Sequence, residues 1–415
     1  MRPGTLYWLP VQALVFEPSV PRFLATKALG RFANLDPSAS IQLADVPEPP
    51  LPGPDWLRVQ MRYAGICGSD TGTLTYKVSA DLSGLASFPA VLGHELAGTV
   101  VEVGAQAKSA VKGQRVVVDP FLGCRVRGVD PTCSSCAGGF PCVCQNVTGG
   151  RFAAGLILGT CRDLPGSWSE RVIVHDSQVH AVPDAISDRG AALAEPLAIG
   201  LHACLLAPPP DGARVLIIGG GPIAYSVLFA LRMLGARYDI TLVTQLEYQR
   251  ALAVELGADR AFVTGPATDE ELARLSGTTF HPGIVGKPHP SGGFMAVFDC
   301  VGLSITVKQG LRWTREKGTF TLIGNASKSD GLDLSIIWSK ELRVQGTLGY
   351  GLDERAGERA HTYAWLMRLY PTVAAQAEKM ITHTFPLARY PEAVAMALDR
   401  SGARSVKVLF EGGRP

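Results

Sequence analysis

The chain has 415 residues, of which 47% are hydrophobic and only 18% charged, with 39 basic residues against 37 acidic ones. A net charge of +2 excludes an electrostatic case for nucleic acid or an anionic membrane surface, and the high apolar content excludes a disordered chain. A single core rarely grows past roughly 250–300 residues, so the length predicts two domains.

The first apolar run, residues 11–16, follows Pro10 and carries no small-residue cleavage site. It reads as a strand and not as a secretory signal. Residues 57–61, 98–103 and 115–118 are Val-rich and bounded by Gly or Pro, which predicts further short strands. The tripeptide Pro208-Pro209-Pro210 marks a change of texture. From Ala213 onward, strands at 215–218, 240–244, 296–300 and 319–323 alternate with helices at 224–234 and 248–256, the pattern of βαβ units and a parallel sheet. The uncharged run between Arg214 and Arg232 stands at the short limit of a membrane span, which needs roughly 17–25 residues. Gly219, Gly220, Gly221 and Pro222 interrupt it, so it reads as strand, turn and helix. A soluble, cytoplasmic protein with no membrane partner is expected. Beyond Tyr350 the pattern predicts a helix over 355–369 and a last strand over 405–410.

Three constellations carry chemistry. Gly219-Gly220-Gly221-Pro222-Ile223-Ala224 fits G-x-G-x-x-G/A directly after a strand and opening a helix. There the backbone can approach a pyrophosphate seated on the helix N-terminus. The end of the next strand should choose between NAD and NADP, and it offers neutral Gln245, with Arg250 available for a 2′-phosphate and Glu247 opposing it. The second constellation is scattered: Cys67 in GICGSD, His94 and Glu95 in GHE, and Glu195 in EPL. A thiolate, an imidazole and carboxylates are zinc ligands, and a catalytic zinc keeps one position open. Each residue alone also has an ordinary reading, as a buried thiol, a core histidine or a helix-start carboxylate. The third is Cys124-x8-Cys133-x2-Cys136-x7-Cys144, four thiolates, enough for a closed structural zinc site, with Cys142 a spare that could replace a neighbour; the ordinary reading is a set of reduced thiols without metal.

On these residues the chain resembles the zinc-dependent medium-chain dehydrogenase/reductase family, in particular its alcohol, sorbitol and threonine dehydrogenase members. The resemblance runs from GICGSD at 65–70 through GHE at 93–95, the cysteine cluster, AEPLAIGLHA at 194–203, the glycine turn, VFDCVG at 297–302 and GTFTLIGN at 318–325. It implies a GroES-like, β-rich catalytic domain over 1–196, completed by 350–415, and a Rossmann domain with a doubly wound parallel sheet over 197–349. The active cleft is expected between them. It also implies that Cys67, His94 and Glu95 form the catalytic zinc shell, with Glu195 either binding the metal or holding its water. Ser69 matches the hydroxyl that passes the alcohol proton, and Asp70 the carboxylate behind the shell. Gly219, Gly221 and Gln245 map to the NAD or NADP turn and ribose position; Pro222 and Ile223 lie in the same turn, and Arg250 is either a cofactor contact or a solvated helix residue. Val301, Ile323 and Asn325 map to segments lining the nicotinamide. The implied substrate is a small alcohol or carbonyl compound, a polyol or other secondary alcohol and its ketone or aldehyde. The implied assembly is a homodimer or homotetramer.

Three positions depart from the family pattern. Gly72 stands where a relay histidine is often found, Gln245 replaces the ribose-binding Asp, and Asp130 occupies the usual place of the first lobe cysteine, for which Cys124 substitutes through a longer loop. The segment 71–88 is longer than in compact members and borders the expected site. Cys161 and Trp168, in GTCRDLPGSWSE, either face substrate or pack. Two rival readings are a zinc-free quinone or enone reductase of the same fold and a nucleotide-binding relative without turnover.

Overall fold

The computed structural model describes residues 10–29, 36–235, 237–325 and 329–413. The chain divides into two compact units, Met1–Glu195 with Ile381–Pro415, and Pro196–Met380.

In the first unit, β1 (Val11–Phe16) pairs antiparallel with β2 (Ile41–Val46). Between them the chain makes an excursion that includes a helix, Val20–Leu29. The ten-residue β3 (Trp56–Gly65) is the spine of the larger sheet, while the short β4 (Ala90–Val91) pairs with the other edge of β1. β3 pairs antiparallel with β5 (Glu95–Val103), β5 with β6 (Arg115–Val118), and β6 with β8 (Val179–Ala181); β7 (Arg171–His175) also pairs with β3. Trp56, Leu57, Val59 and Met61 of β3 are fully buried and join Val100, Val116, Val172 and Trp168 in one core. β-branched and aromatic residues suit this pleated, buried surface.

The second unit carries six parallel strands. They are β9 (Arg214–Ile218), β10 (Asp239–Thr244), β11 (Arg260–Val263), β14 (Phe294–Asp299), β15 (Thr314–Leu322) and β16 (Arg343–Gly346); an antiparallel hairpin, β12 (Thr279–His281) and β13 (His289–Ser291), precedes β14. The order β11-β10-β9-β14-β15-β16 reverses direction between β9 and β14, which defines a doubly wound sheet with its switch point there. Val215, Leu216 and Ile217 of β9 are all buried, as strands covered on both faces require. The helices after β9 and β10 run Pro222–Met233 and Glu247–Glu255.

Residues 355–369 do not form the single helix expected from sequence. β17 (Leu352–Arg355) turns into β18 (Glu358–His361), and only Thr362–Leu369 is helical. The two turn residues, Ala356 (φ 52) and Gly357 (φ 81), both adopt positive φ, as a two-residue hairpin with a primed turn demands. This hairpin also keeps the chain in the second unit past residue 350, where the sequence reading placed the return. Asp353 Oδ1 lies 2.8 Å from His202 Nδ1, and Thr362 Oγ1 donates to Asp353 Oδ2 at 2.5 Å, all buried. The division therefore falls at Met380. The chain then adds β19 (Ile381–Pro386) and β20 (Lys407–Glu411) to the first unit, with β20 antiparallel to β3. Among the described residues no helix is long and apolar enough to cross a membrane.

Candidate active site and metal centres

The first site is built by strand register. Gly65 at the end of β3 pairs with Glu95 at the start of β5, so Cys67, two residues after one strand, meets His94 and Glu95 at the head of the other. The donor atoms of Cys67, His94 and Glu95 lie within 4.8 Å of one another. His94 and Glu95 are buried. A thiolate, an imidazole and a carboxylate converging in this way fit a zinc with three protein ligands and an open position. Cys67 is the N-cap of the helix Gly68–Leu74, and Asp70 in its first turn accepts from the Cys67 backbone N–H at 2.9 Å through Oδ2. The other Asp70 oxygen lies 3.3 Å from His94 Nδ1. That contact orients the imidazole and leaves Nε2 for a metal. Burial opposes a charge on His94, but the Asp70 carboxylate and Cys67 outweigh it and hold the imidazole pKa well above its ordinary 6.5. Ser69 sits half-buried in the same turn.

Glu195 is buried near the start of the helix Ala194–Leu206 and acts electrostatically on Lys407. It is not in the three-residue donor group. Lys407 itself was not singled out from sequence. It is 1% exposed, its Nζ forms an ion pair with Glu95, and it donates to the Ile66 carbonyl at 3.3 Å. Burial works against its charge, yet Glu95, Cys67 and Glu195 together raise its pKa. A single lysine within the apolar run 406–410 was the signal that marked it, since a lone buried lysine needs a carboxylate. Trp168 and Cys161 pack: Trp168 is fully buried against Phe410 and donates from Nε1 to the Gly65 carbonyl at 3.0 Å, and Cys161 is fully buried with its thiol on the Ala153 carbonyl. Trp168 thus fixes the strand end that leads to Cys67.

The glycine turn lies at the switch point of the second unit. Gly219 has φ +136 and donates to the Val243 carbonyl at 2.8 Å. Gly220 lies against Gln249, where a Cβ would come within 2.6 Å of Oε1. Gly221 caps the helix Pro222–Met233, with Pro222 and half-buried Ile223 in its first turn and Ala224 buried beneath. The free N–H groups and positive end of this helix suit a pyrophosphate. Buried Asp299, also missed from sequence, organises the neighbouring loops. Its Oδ1 accepts from Val301 N and Gly302 N at 2.9 and 3.1 Å, Oδ2 accepts from Thr306, and its carbonyl accepts from Ile323 N and Gly324 N. This places Val301, buried Ile323 and exposed Asn325 on linked loops beyond β14 and β15. Gln245 is exposed just past β10, and Arg250 is held by Glu247 at 2.8 Å.

The third site is the cysteine lobe. The sulfurs of Cys124, Cys133, Cys136 and Cys144 all lie within 4.8 Å of one another, with Cys124 Sγ 3.6 Å from Cys144 Sγ. Cys142 is buried but outside this group. Backbone N–H groups of Cys136, Gln145, Cys133 and Asn146 donate to the sulfurs at 3.3–3.5 Å. Burial resists ionisation of Cys133, but the N–H donors from Cys136 and Gln145 bring it down to about 6. Four convergent sulfurs with N–H donors fit a closed tetrahedral zinc site.

A doubly wound sheet with a glycine turn at its switch point, and a β unit that forms a Cys/His/Glu trio and, separately, a four-cysteine group, are the features of the dehydrogenase class. Residues 53–184 match the alcohol dehydrogenase GroES-like domain and residues 222–369 the zinc-binding dehydrogenase domain. Together these cover more than half of the chain, which belongs to the zinc-dependent medium-chain dehydrogenase family, with a GroES-like and a Rossmann-type unit. L-idonate 5-dehydrogenase of Vitis vinifera is 28% identical over 361 residues, 86% of this chain and 88% of the relative. Sorbitol dehydrogenase of Bos taurus is 28% identical over 348 residues, 83% of this chain and 86% of the relative. The crystal structure of 2R,3R-butanediol dehydrogenase from Bacillus subtilis shares the fold, with a TM-score of 0.72 and 22% identity over 97% of this chain and 100% of that one.

Proposed function

We propose that this chain is a cytoplasmic, zinc-dependent oxidoreductase that interconverts an alcohol and its ketone or aldehyde with NAD or NADP, and that its substrate is a polyol or another secondary alcohol. The observation that carries the reading is the meeting of Cys67, His94 and Glu95 donor atoms within 4.8 Å, backed by Asp70. The sorbitol and idonate dehydrogenase relatives support the substrate class. Cys67, His94 and one of Glu95 and Glu195 would hold the catalytic metal, and Cys124, Cys133, Cys136 and Cys144 a structural one. When bound, zinc supplies Lewis acidity at the substrate oxygen, and the nicotinamide supplies a two-electron hydride acceptor or donor.

The protein's own residues then have separate tasks. Asp70 locks the His94 ring and the head of the Cys67 helix, so two donor side chains share one orienting carboxylate. Ser69 takes the hydroxyl proton when the alcohol is oxidised and returns it when the carbonyl is reduced. With Gly72 at the usual relay position, the proton passes from Ser69 to solvent water. Gly219, Gly221 and the helix they open seat the pyrophosphate, and Val301 and Ile323 offer apolar surface to the nicotinamide. Homodimers or homotetramers are the proposed assembly, to be read from light scattering.

The test is zinc per chain by elemental mass spectrometry on protein never exposed to chelator. A panel of polyols and secondary alcohols, with NAD and with NADP, should accompany it. Two zincs per chain, with turnover abolished in Cys67→Ala and His94→Ala, are expected. Zinc near zero in folded protein, or alcohol oxidation undiminished in those variants, refutes the proposal; zinc near zero leaves the zinc-free reductase or the nucleotide-binding relative without turnover.

A further inference from the structure

Arg127 is among the largest fully buried side chains of the molecule, at 0% exposure. It closes the short helix Cys124–Arg127, one turn after the first lobe cysteine. Its guanidinium donates to four carbonyls of one segment: Gly149 at 2.7 Å, Phe152 at 2.9 Å, Ala153 at 2.8 Å and Gly155 at 3.3 Å. The segment answers with Arg151 N donating to the Arg127 carbonyl at 3.0 Å. Gly150 passes so close that a Cβ there would stand 2.3 Å from the same oxygen.

Among the described residues no carboxylate pairs with this guanidinium. The carboxylate that acts on it most strongly, Asp163, accepts from the Ala153 backbone N–H at 2.6 Å. An arginine does not deprotonate, so Arg127 carries a full charge into the interior. Carbonyl dipoles satisfy its N–H groups but do not neutralise it, and a buried charge without an opposite charge is costly. Burial lowers its pKa, and the groups pulling it back up are Cys161, Cys144, Asp163 and Cys124. Two of these are lobe cysteines. Four thiolates around a divalent cation carry a net charge of about −2, whereas four neutral thiols carry none.

We propose that Arg127 is the counter-ion of the four-cysteine centre, so that metal in the lobe and the clamping of segment 149–155 are a single coupled event. This deepens the structural-zinc reading and rests on it. It also accounts for the lengthened spacing between Cys124 and Cys133: the residues added ahead of position 130 include the arginine that balances the centre. The coupling runs both ways. Loaded metal stabilises the buried cation, and the cation stabilises the thiolates against loss of metal. Arg127 is a positioning residue here, remote from the substrate chemistry.

The test uses the full chain with cobalt replacing zinc. Lobe metal is followed by sulfur-to-cobalt charge-transfer absorption during challenge with excess EDTA, after subtraction of the Cys67 site's contribution, which is assigned by comparison with Cys67→Ala. Arg127→Met is expected to lose lobe metal at least about tenfold faster, Arg127→Lys to recover most of the loss, and the remaining cobalt, at the Cys67 site, to leave at an unchanged rate. In the wild-type protein, stripping the lobe metal should raise amide hydrogen exchange in 149–155 at least about tenfold and leave 56–65 protected. That measurement decides the matter if Arg127→Met fails to fold. Metal loss at the wild-type rate in Arg127→Met, even with a lower melting temperature, would mark a purely steric clamp and overturn the proposal. Unchanged exchange of 149–155 on stripping would do the same. If a Cys124→Ser, Cys136→Ser double variant keeps the full metal content, the lobe holds no metal, and the structural-zinc reading falls together with the proposal.

Discussion

Gly65 shows how little freedom the Cys67, His94 and Glu95 donor trio has at the residue scale. A Cβ there would lie 1.6 Å from Glu95 Oε2 and 2.9 Å from Lys407 Cε. Gly65→Ala must therefore push Glu95 off its position, and a loss of about 10–100-fold in metal affinity or kcat/KM is expected, read by zinc content and steady-state kinetics. Asp70→Asn keeps the volume but removes the charge that orients His94. It should cost about 10–100-fold in the same two measurements, and parity with wild type would remove Asp70 from the site. On the nucleotide side, Gln245 is exposed at the end of β10, with Arg250 already engaged by Glu247. Gln245→Asp should favour NAD, because a carboxylate bonds ribose hydroxyls and repels a 2′-phosphate. The kcat/KM ratio for NAD over NADP is expected to rise about tenfold, a change of roughly 1.4 kcal/mol.

At the element scale the least expected feature is the helix Val20–Leu29 between β1 and β2. Tyr76, just beyond the helix that Cys67 caps, anchors this excursion. Its hydroxyl accepts from Ser19 N at 2.8 Å and lies 3.2 Å from Ser40 Oγ, and its ring packs on Phe16 and Phe23. The extra length of 71–88 is thus partly spent on holding the excursion between β1 and β2. Tyr76→Phe keeps the ring contacts and removes the hydroxyl. It should cost about 1–3 kcal/mol locally and expose residues 17–29 to limited proteolysis; unchanged cleavage would show that the ring contacts alone hold the excursion. The β17–β18 hairpin is an instructive miss from sequence. Its residues are polar and helix-tolerant, and the pattern contains only Gly357 as a turn signal. What chooses the hairpin is positive φ at both Ala356 and Gly357 and the burial of Asp353 against His202, a partner some 150 residues away.

At the scale of the whole molecule, a charged group inside the second unit makes stability depend on pH. In the second unit Lys340 is 2% exposed, and its Nζ donates to the carbonyls of Gly292 and Arg312 at 3.1 and 3.3 Å, with Glu316 at 4.0 Å. Burial, only partly offset by Glu316 and reinforced by Arg312, lowers its pKa from 10.5 to about 8. Between these values the unfolded chain binds the proton more tightly than the folded one, so this group's contribution to stability rises with pH. Below about pH 8 both states are charged and the full cost of burying the ammonium is present. Lys340→Met removes that titration. The stability difference between variant and wild type, from urea midpoints, should shift in favour of wild type as pH rises from 8 to 10; a constant difference would mean that Lys340 does not titrate in this window.

Most of the architecture is legible in the sequence, for a physical reason. Periods of two and of 3.6 residues, glycine turns and the donor chemistry of Cys, His and Glu are local properties. They located β1, the β9–turn–helix unit, the candidate donors Cys67, His94 and Glu95, and the four lobe cysteines, including displaced Cys124. Side chains whose role comes from a distant partner were not legible. Lys407 matters because β20 lies beside β3, Asp299 because two loops converge on its carboxylate, and Arg127 because a segment beginning 22 residues later folds over it. Sequence determined which chemistries this chain can offer and most of the strands and helices that present them. The tertiary structure alone decided which buried charges face one another, because the pairing of charges in a low-dielectric interior depends on distance through space and not along the chain.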